Sequence, residues 1–313
     1  MYRDQRIAAV IPAHNEAAHI GAVLDALPDT IDYAVVVDDG STDTTGAEIA
    51  AAATRLGDRL QVVTHETNGG VGAARVSGMR QVLERADADI VVSLDGDGQM
   101  DVAYLGRLLD PVVDGYDFSK GNRFFTSSSF ESMPSHRIFG NIALTFMTKL
   151  ATGYWSIFDP QNGFTALRVS TLARLDLNTI ATGYAYENDL IGRLGLVRAR
   201  IADVDIPAVY GNEVSGINLD TVVPEISHVL WRTFARRFWL TYVLRSFSPV
   251  ALFAFFGAPL LLFSLVFGTS VVIGAIGPSE VSAANAVLTS LTFSTGFTLL
   301  LAALVIDVLG EPR

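Results

Sequence analysis

Cysteine is absent from the 313-residue sequence, and charged residues are scarce. Without cysteine, a disulfide scaffold, a zinc–thiolate site, an iron–sulfur cluster and a cysteine nucleophile are all excluded. Only 18% of the residues are charged, whereas soluble domains carry about 25%. Half of the residues are hydrophobic, and this surplus indicates membrane segments. The formal net charge of −11 argues against a nucleic-acid-binding protein, because such proteins need a basic surface.

Charged residues are missing altogether from two long stretches near the C-terminal end. None occurs from Ser246 to Ser279, and none from Val281 to Ile306. Each stretch is longer than the ~20 residues that a helix needs to cross a bilayer. The sequence therefore predicts a two-helix transmembrane hairpin in residues 246–313, with spans at about 249–276 and 285–308. The alternative is a buried helix pair in a soluble protein, although such helices rarely run so long without charge.

The basic residues around the hairpin predict its orientation. Four arginines precede the first span: Arg232, Arg236, Arg237 and Arg245. The turn between the spans carries only Glu280, so the positive-inside rule places the preceding residues in the cytoplasm of a multi-pass cell-membrane protein. Residues 221–245 mix aromatic residues with arginines and predict an amphipathic juxtamembrane helix in contact with membrane lipid. A helix packed only on the protein is the alternative. The polar start before Ile7 predicts no signal peptide.

Short apolar runs alternate with helical patterns through residues 1–220. The runs are 7–11, 34–37, 60–63 and 90–94. Continuous apolar strands separated by helices predict an α/β, Rossmann-like, mostly parallel sheet with helices on both faces. Ligands on such a sheet bind at the carboxyl ends of the strands. Polar clusters follow the strands at these ends: Pro12–Glu16, Asp38–Ser41, Asn68–Gly72 and Asp95–Gln99.

The last of these clusters has the composition of a metal site. Asp95 and Asp97 follow a strand directly, and Gln99 can add a carbonyl oxygen. Mg²⁺ and Mn²⁺ prefer such oxygen ligands, with water and substrate phosphate in the remaining positions. A solvated turn is the alternative for an isolated Asp-x-Asp pair. An EF-hand is excluded, because the position that needs glutamate is Gly106.

The first two clusters suit a nucleoside. Pro12 fixes the exit from the first strand, and Glu16 or backbone groups can contact the ligand. His14 taken alone is more typical of a structural residue. The acidic segment Val37–Asp43 can accept hydrogen bonds from a base N–H or a ribose hydroxyl, with a capped turn as the alternative.

Together these segments resemble the inverting family 2 glycosyltransferases of the GT-A fold, over about residues 7–215. The resemblance rests on four segments in the same order: Ile11–Glu16, Asp38–Asp43, Asn68–Arg75 and Asp95–Gln99. Within that family the sequence is most similar to the polyprenyl-phosphate (dolichyl-phosphate) hexosyltransferases, in which membrane helices often follow the catalytic domain. The resemblance implies a metal-dependent enzyme that moves a hexose from a UDP- or GDP-linked donor to polyprenyl phosphate, with inversion.

The resemblance also implies roles for individual residues. The nucleotide-sugar would contact Pro12, His14, Glu16, Val37, Asp39, Asp95 and Gly96. Mg²⁺ or Mn²⁺ would be held by Asp95, Asp97 and Gln99, of which Asp97 is the principal ligand. The acceptor phosphate would contact Arg123, Arg137 and Asn141. The stretch Phe124–Pro134 would be an acceptor loop, with a plain surface loop as the alternative.

Two further segments bear on the acceptor. Asp189, with Glu187 as the second candidate, lies where relatives with hydroxyl acceptors carry a catalytic base, and helix capping is the alternative. A lipid phosphate scarcely needs a base, because its oxygen is already anionic. The run Pro207–Gly216 contains no lysine or arginine, although mannose-transferring relatives continue there into a basic residue. The cation would then come from Arg232, Arg236 or Arg237, or else the acceptor differs.

Four other functions are alternatives to this one. The nearest uses the same donor with another lipid or glycan hydroxyl acceptor and Asp189 as base. A second is an inactive, transferase-like membrane assembly module. A nucleotidyltransferase would need a glycine-rich basic loop after the first strand, and a processive polysaccharide synthase would carry Gln-x-x-Arg-Trp; neither motif occurs. A homo-oligomer is compatible with the sequence.

Overall fold

The computed structural model describes residues 1–124, 135–207, 219–276 and 282–312, without the side chains of 135–137 and 219–221. Two compact units are present. The N-terminal unit consists mainly of Met1–Phe234, and the C-terminal unit of Ala235–Glu311.

A seven-stranded sheet forms the centre of the N-terminal unit. Its strands are β1 (Ile7–Ala13), β2 (Tyr33–Asp39), β3 (Leu60–His65), β4 (Ile90–Ser93), β5 (Phe118–Asn122), β6 (Thr165–Arg168) and β7 (Ile201–Asp205). Their order in the sheet is β3-β2-β1-β4-β6-β5-β7. All neighbours are parallel except β6, which runs antiparallel to β4 and β5. The mostly parallel α/β sheet predicted from the sequence is confirmed.

Helices pack on both faces of the sheet. Those of the N-terminal unit are α1 (Ile20–Asp25), α2 (Thr45–Leu56), α3 (Val71–Arg85), α4 (Leu105–Val113), α5 (Ser135–Thr152), α6 (Val169–Leu172), α7 (Tyr186–Leu196) and α8 (Leu219–Arg237, which runs into the second unit). Side chains alternate between the faces of a strand. Ala8 and Val10 of β1 accordingly belong to one apolar cluster, and Ile7, Ala9 and Ile11 to another.

Helix α8 packs on the N-terminal unit through an apolar stripe. Ile226 and Leu230 are buried in a third cluster with Ala151 and Ala185. Trp231 on the same helix is 68% exposed. The helix thus has one face against the protein and an aromatic residue outside it, as the predicted amphipathic helix requires.

The C-terminal unit contains two long apolar helices, α9 (Pro249–Ile276) and α10 (Ala283–Leu309). Their mean hydropathies are 2.4 and 1.9, and both are long enough to cross a membrane. The segment before them, Phe238–Leu244, is a π-helix. Within this unit Arg237 pairs with Asp307 at 2.6 Å, so a buried charge is neutralised. These helices correspond to the two spans predicted from the sequence.

Close packing of α9 against α10 depends on glycine. A Cβ atom on Gly296 would lie 2.7 Å from the backbone nitrogen of Leu261 and 3.0 Å from the carbonyl oxygen of Gly257. Backbone atoms cannot move aside as a flexible side chain can. Small residues let two apolar helices approach in this way.

We expect Gly296→Leu to lower the free energy of unfolding by about 2 kcal/mol or more, since a larger side chain overpacks the helix contact. Thermal unfolding of the detergent-solubilised protein would measure the change. Ala286→Leu is the matched control, because Ala286 is exposed on the same helix. Equal melting temperatures for the two variants would contradict this packing.

Candidate active site

A cavity of about 1560 Å³ opens at the carboxyl ends of β1, β2 and β4. Most residues that the resemblance assigned to the site line it: Pro12, His14, Glu16, Asp39, Asp95, Gly96, Asp97, Arg123 and Asn141. The parallel strands place these residues together because their carboxyl ends share one edge of the sheet.

Three assigned residues are not part of this lining, and the side chain of a fourth is not described. Val37 is fully buried in β2, inside the apolar core. Gln99 and Asp189 are not part of the cavity lining, whereas Glu187 is. The side chain of Arg137 lies outside the described residues, as do residues 125–134 of the acceptor loop and 208–216 of the run without basic residues.

Asp189 is held in a polar network. Its Oδ2 accepts a hydrogen bond from the Ala181 backbone N–H at 2.9 Å and one from Arg193 Nε at 3.1 Å. Arg232 also pairs with this oxygen, at 3.2 Å. Asp189 therefore fixes the segment before α7 and pairs with two arginines.

Asp39, at the end of β2, organises the glycine loop before α3. Its carboxylate accepts hydrogen bonds from the N–H of Gly69 at 2.9 Å and of Gly70 at 2.8 Å. His65 Nδ1 lies 2.6 Å from the same carboxylate. Gly70 has φ +91°, and a Cβ there would lie 2.8 Å from the carbonyl oxygen of Thr182. Only glycine fits this position without strain.

His14 joins the ends of β1 and β2. Its Nδ1 lies 2.8 Å from the backbone oxygen of Asp39. The next residue, Asn15, accepts a hydrogen bond from the Thr42 N–H at 2.9 Å. The structural interpretation of His14 therefore agrees with these contacts, while the residue also borders the cavity.

The acidic turn after β4 approaches β1 closely. A Cβ on Gly96 would lie 2.9 Å from the carbonyl oxygen of Pro12, so glycine is needed here. Asp97 Oδ1 accepts a hydrogen bond from the Gln99 N–H at 2.9 Å, which fixes the direction of that carboxylate. Asp95 Oδ1 accepts one from Arg75 Nη2 at 2.6 Å.

Arg75 is a residue whose role the sequence did not reveal. Its side chain is only 3% exposed, and its guanidinium pairs with both Asp95 and Glu187. It also lies over the Tyr186 ring, 5.5 Å from the centroid. A Cβ on Gly163 would collide with the guanidinium. The signal that could have identified it is a charged residue within the buried stripe of α3, between Ala74 and Val76.

Glu187 is the acid of α7 that faces the cavity. Burial raises the pKa of the Glu187 carboxyl, and the neighbouring Arg75 only partly opposes this. The ion pair with Arg75 keeps the side chain in place at the floor of the cavity. Glu187 is therefore oriented by a fixed cation.

Arg123 is oriented by a second acid, Asp159, which lies in the segment before β6. Asp159 accepts hydrogen bonds from Arg123 Nε at 2.7 Å and from Nη2 at 2.8 Å. Burial alone would raise the pKa of Asp159, but the bidentate Arg123 contact holds that pKa below its ordinary value. Such a fork fixes the guanidinium plane. Arg123 thus borders the cavity with a fixed orientation.

Apolar side chains of α5 and α8 also line the cavity. They are Leu144, Met147, Leu150, Leu230, Trp231 and Phe234. Further along α5, Phe139 is 74% exposed. One cavity therefore combines an acidic and arginine-bearing end with an apolar wall, which suits a ligand that has both phosphate and hydrocarbon.

Comparison with known proteins decides the family. The model of the family "Glycosyl transferase family 2" matches residues 8–175. The chain belongs to glycosyl transferase family 2. The family predicted from the four polar segments is confirmed, and the protein is a glycosyltransferase.

Two relatives each cover about two thirds of the chain. A UDP-N-acetylglucosamine–dolichyl-phosphate N-acetylglucosaminyltransferase of Methanococcus voltae is 29% identical over 220 residues, which are 66% of this chain and 87% of the relative. A polyprenol monophosphomannose synthase of Mycolicibacterium smegmatis is 29% identical over 219 residues, 68% of this chain and 80% of the relative.

The fold of this family 2 chain also matches a solved structure. The glucosyl-3-phosphoglycerate synthase of Mycobacterium tuberculosis, crystallised with Mn²⁺, UDP and its product, superposes with a TM-score of 0.57. The match covers 74% of this chain and 81% of that one, at 22% identity. It shows that the two proteins share a fold.

Proposed function

We propose that this glycosyltransferase transfers a hexose from a nucleotide diphosphate-sugar to the phosphate of a polyprenyl (dolichyl) phosphate. The observation that carries the proposal is that one cavity is lined both by Asp95, Asp97 and Arg123 and by apolar side chains of α5 and α8. The two relatives described above are named for different sugars but for the same class of acceptor. That agreement supports a polyprenyl phosphate acceptor.

The donor would lie over the strand ends. Pro12, His14, Glu16 and Asp39 would surround the nucleoside, with Val37 supporting Asp39 from the core. Asp95 and Gly96 would lie along the diphosphate, and the missing side chain of Gly96 lets this turn approach Pro12 closely.

A divalent cation fits the oxygen ligands after β4. Among the described residues no group of three or more acidic or histidine side chains could hold a metal. Two carboxylates suffice for Mg²⁺ or Mn²⁺ when substrate phosphate and water complete the shell. The ion would be held by Asp97, Asp95 and the amide oxygen of Gln99. One oxygen of Asp95, Oδ1, already accepts a hydrogen bond from Arg75. When bound, the ion would stabilise negative charge on the leaving nucleotide.

The acceptor phosphate would lie at Arg123, with Asn141 and Arg137 as further contacts. Its anionic oxygen attacks the sugar C1 from the face opposite the diphosphate, and the anomeric centre inverts. The C1–oxygen bond to the donor breaks, and its electron pair leaves with the nucleotide diphosphate. A base is not needed, which agrees with the engagement of Asp189 by Arg193 and Arg232. The contacts of Asp189 therefore give no support to Asp189 as the base for a hydroxyl acceptor.

The C-terminal helices would hold the enzyme where its acceptor is. We propose that α9 and α10 cross the membrane, that residues 221–245 lie at its surface, and that the catalytic residues 1–220 face the cytoplasm. The arginines before the first span support this orientation.

An acceptor assay tests the proposal. Purified full-length protein is incubated with labelled UDP- and GDP-hexoses, a divalent cation and polyprenyl phosphate, and the lipid is extracted into organic solvent. We expect label in the lipid with polyprenyl phosphate and none with the corresponding prenol or with diacylglycerol. Label transferred to either hydroxyl compound, or no transfer from any donor, would refute the polyprenyl phosphate acceptor.

A further inference from the structure

The hydrogen-bonding capacity of Asp39 is almost used up by the protein itself. Oδ1 accepts from His65 Nδ1 at 2.6 Å and from the Gly69 N–H at 2.9 Å. Oδ2 accepts from the Gly70 N–H at 2.8 Å. A carboxylate has about four acceptor positions. Within the described part of the chain, Asp39 therefore keeps one acceptor position for a ligand, on Oδ2.

The surrounding residues hold the carboxylate in this orientation. The second ring nitrogen of His65, Nε2, lies 2.9 Å from Ser77 Oγ on α3, so the imidazole is fixed at both ends. Gly70 is confined by the carbonyl oxygen of Thr182. Asp39 itself is only 3% exposed. Rotation that would turn both carboxylate oxygens toward a ligand would break at least two of these contacts.

The bases of the two common sugar donors make different demands on a carboxylate. Guanine presents two adjacent donors, N1–H and the N2 amino group, and these pair best with two carboxylate oxygens side by side. Uracil presents one donor, N3–H, between two carbonyl oxygens. One open acceptor position on Oδ2 satisfies uracil and leaves one guanine donor opposite an oxygen that is already occupied.

We propose that this enzyme takes its hexose from a uridine diphosphate-sugar and discriminates against guanosine diphosphate-sugars, with His65 as the positioning residue that sets the preference. The inference rests on the proposed function, in which Asp39 faces the base. The discrimination would come from the free-energy cost of burying a hydrogen-bond donor of guanine without a partner. Sites that recognise polar groups discriminate between ligands in this way.

The direct test is binding of the two nucleotides to the full-length protein in detergent. UDP and GDP are titrated separately by calorimetry in the presence of MnCl₂. We expect UDP to bind at least about tenfold more tightly than GDP. Equal affinities, tighter binding of GDP, or no binding of UDP would overturn the inference.

A variant pair tests the part played by His65. His65→Leu leaves Oδ1 with an open acceptor position, so we expect the UDP-to-GDP affinity ratio to fall at least about threefold. Ser77→Ala is the matched control, because it removes the outer contact of the imidazole and keeps its bond to Asp39. A ratio that stays at the parental value in His65→Leu would overturn the role of His65. If His65→Leu does not fold, the UDP and GDP titrations of the parental protein still test the preference for uridine nucleotides.

Failure of the inference and failure of the proposed function are distinguishable. Transfer from a GDP-hexose to polyprenyl phosphate at a rate equal to or above that from any UDP-hexose overturns the uridine preference and keeps the acceptor. Preferential UDP binding without transfer to polyprenyl phosphate keeps the preference and refutes the acceptor.

Discussion

Asp97→Ala is expected to reduce hexose transfer at least about a hundredfold, because it removes a carboxylate from the site that would stabilise the leaving nucleotide. Asp97 borders the cavity, and the Gln99 N–H fixes one of its oxygens at 2.9 Å. Asp97 itself is only partly buried. The loss should therefore appear in the reaction rate, with the fold and the membrane attachment retained.

The measurement is the initial rate at which labelled sugar enters the organic phase, for the variant and the parental enzyme. Asp101→Ala is the matched control, since Asp101 is exposed four residues further on and only caps the next helical turn. We expect the control to keep most of the activity. A parental rate in Asp97→Ala would show that the acidic turn does not hold the metal.

The parallel part of the fold could be predicted because its signal is local. Strands β1, β2 and β4 are buried along their whole length, and their sequences consist mostly of consecutive apolar residues. The sequence of β6 contains no local pattern that would predict its antiparallel direction. Its four residues pair with β4 and β5, and only these distant contacts decide which way the strand runs.

The site was predictable to the extent that strand ends define it. Asp39, Asp95 and Asp97 border the cavity because each follows a buried strand. Arg75 could not be assigned in this way, since its partners Asp95 and Glu187 are 20 and 112 residues away in the chain. Such pairs depend on how the helices pack.

The sequence also could not show which of the two acids of α7, Glu187 or Asp189, faces the cavity. Residues two apart on an α-helix point in directions about 200° apart, so Glu187 and Asp189 face opposite sides. The sequence shows both acids but not the rotation of the helix about its axis. Packing of α7 turns Glu187 toward the cavity and Asp189 toward Arg193.

Arg75→Met is expected to destabilise the protein by about 3–5 kcal/mol, the cost of leaving buried charges without their partner. Methionine fills a similar volume, so the loss would come from the unpaired carboxylates of Asp95 and Glu187. Arg75→Lys should recover only part of the stability, because an ammonium lacks the planar fork that reaches both acids. Arg80→Met is the control: Arg80 is exposed on the same helix, and its loss should cost less than about 1 kcal/mol.

The destabilisation by Arg75→Met should also depend on pH, and the sign follows from Glu187. The pKa of this carboxyl is raised by burial above its ordinary value of 4.5, so the folded state holds the proton more tightly than the unfolded state. The contribution of this group to the free energy of unfolding is therefore greatest below about pH 4.5 and declines as the pH rises through the raised pKa. Without Arg75 the carboxyl loses the cation that lowers its pKa, so the decline continues to a higher pH and the total loss of stability is larger. The difference in melting temperature between variant and parent should thus be smaller at about pH 5 than at about pH 8. A difference that is equal at both pH values would mean that Arg75 stabilises the fold by packing, and that its charge does not balance the two acids.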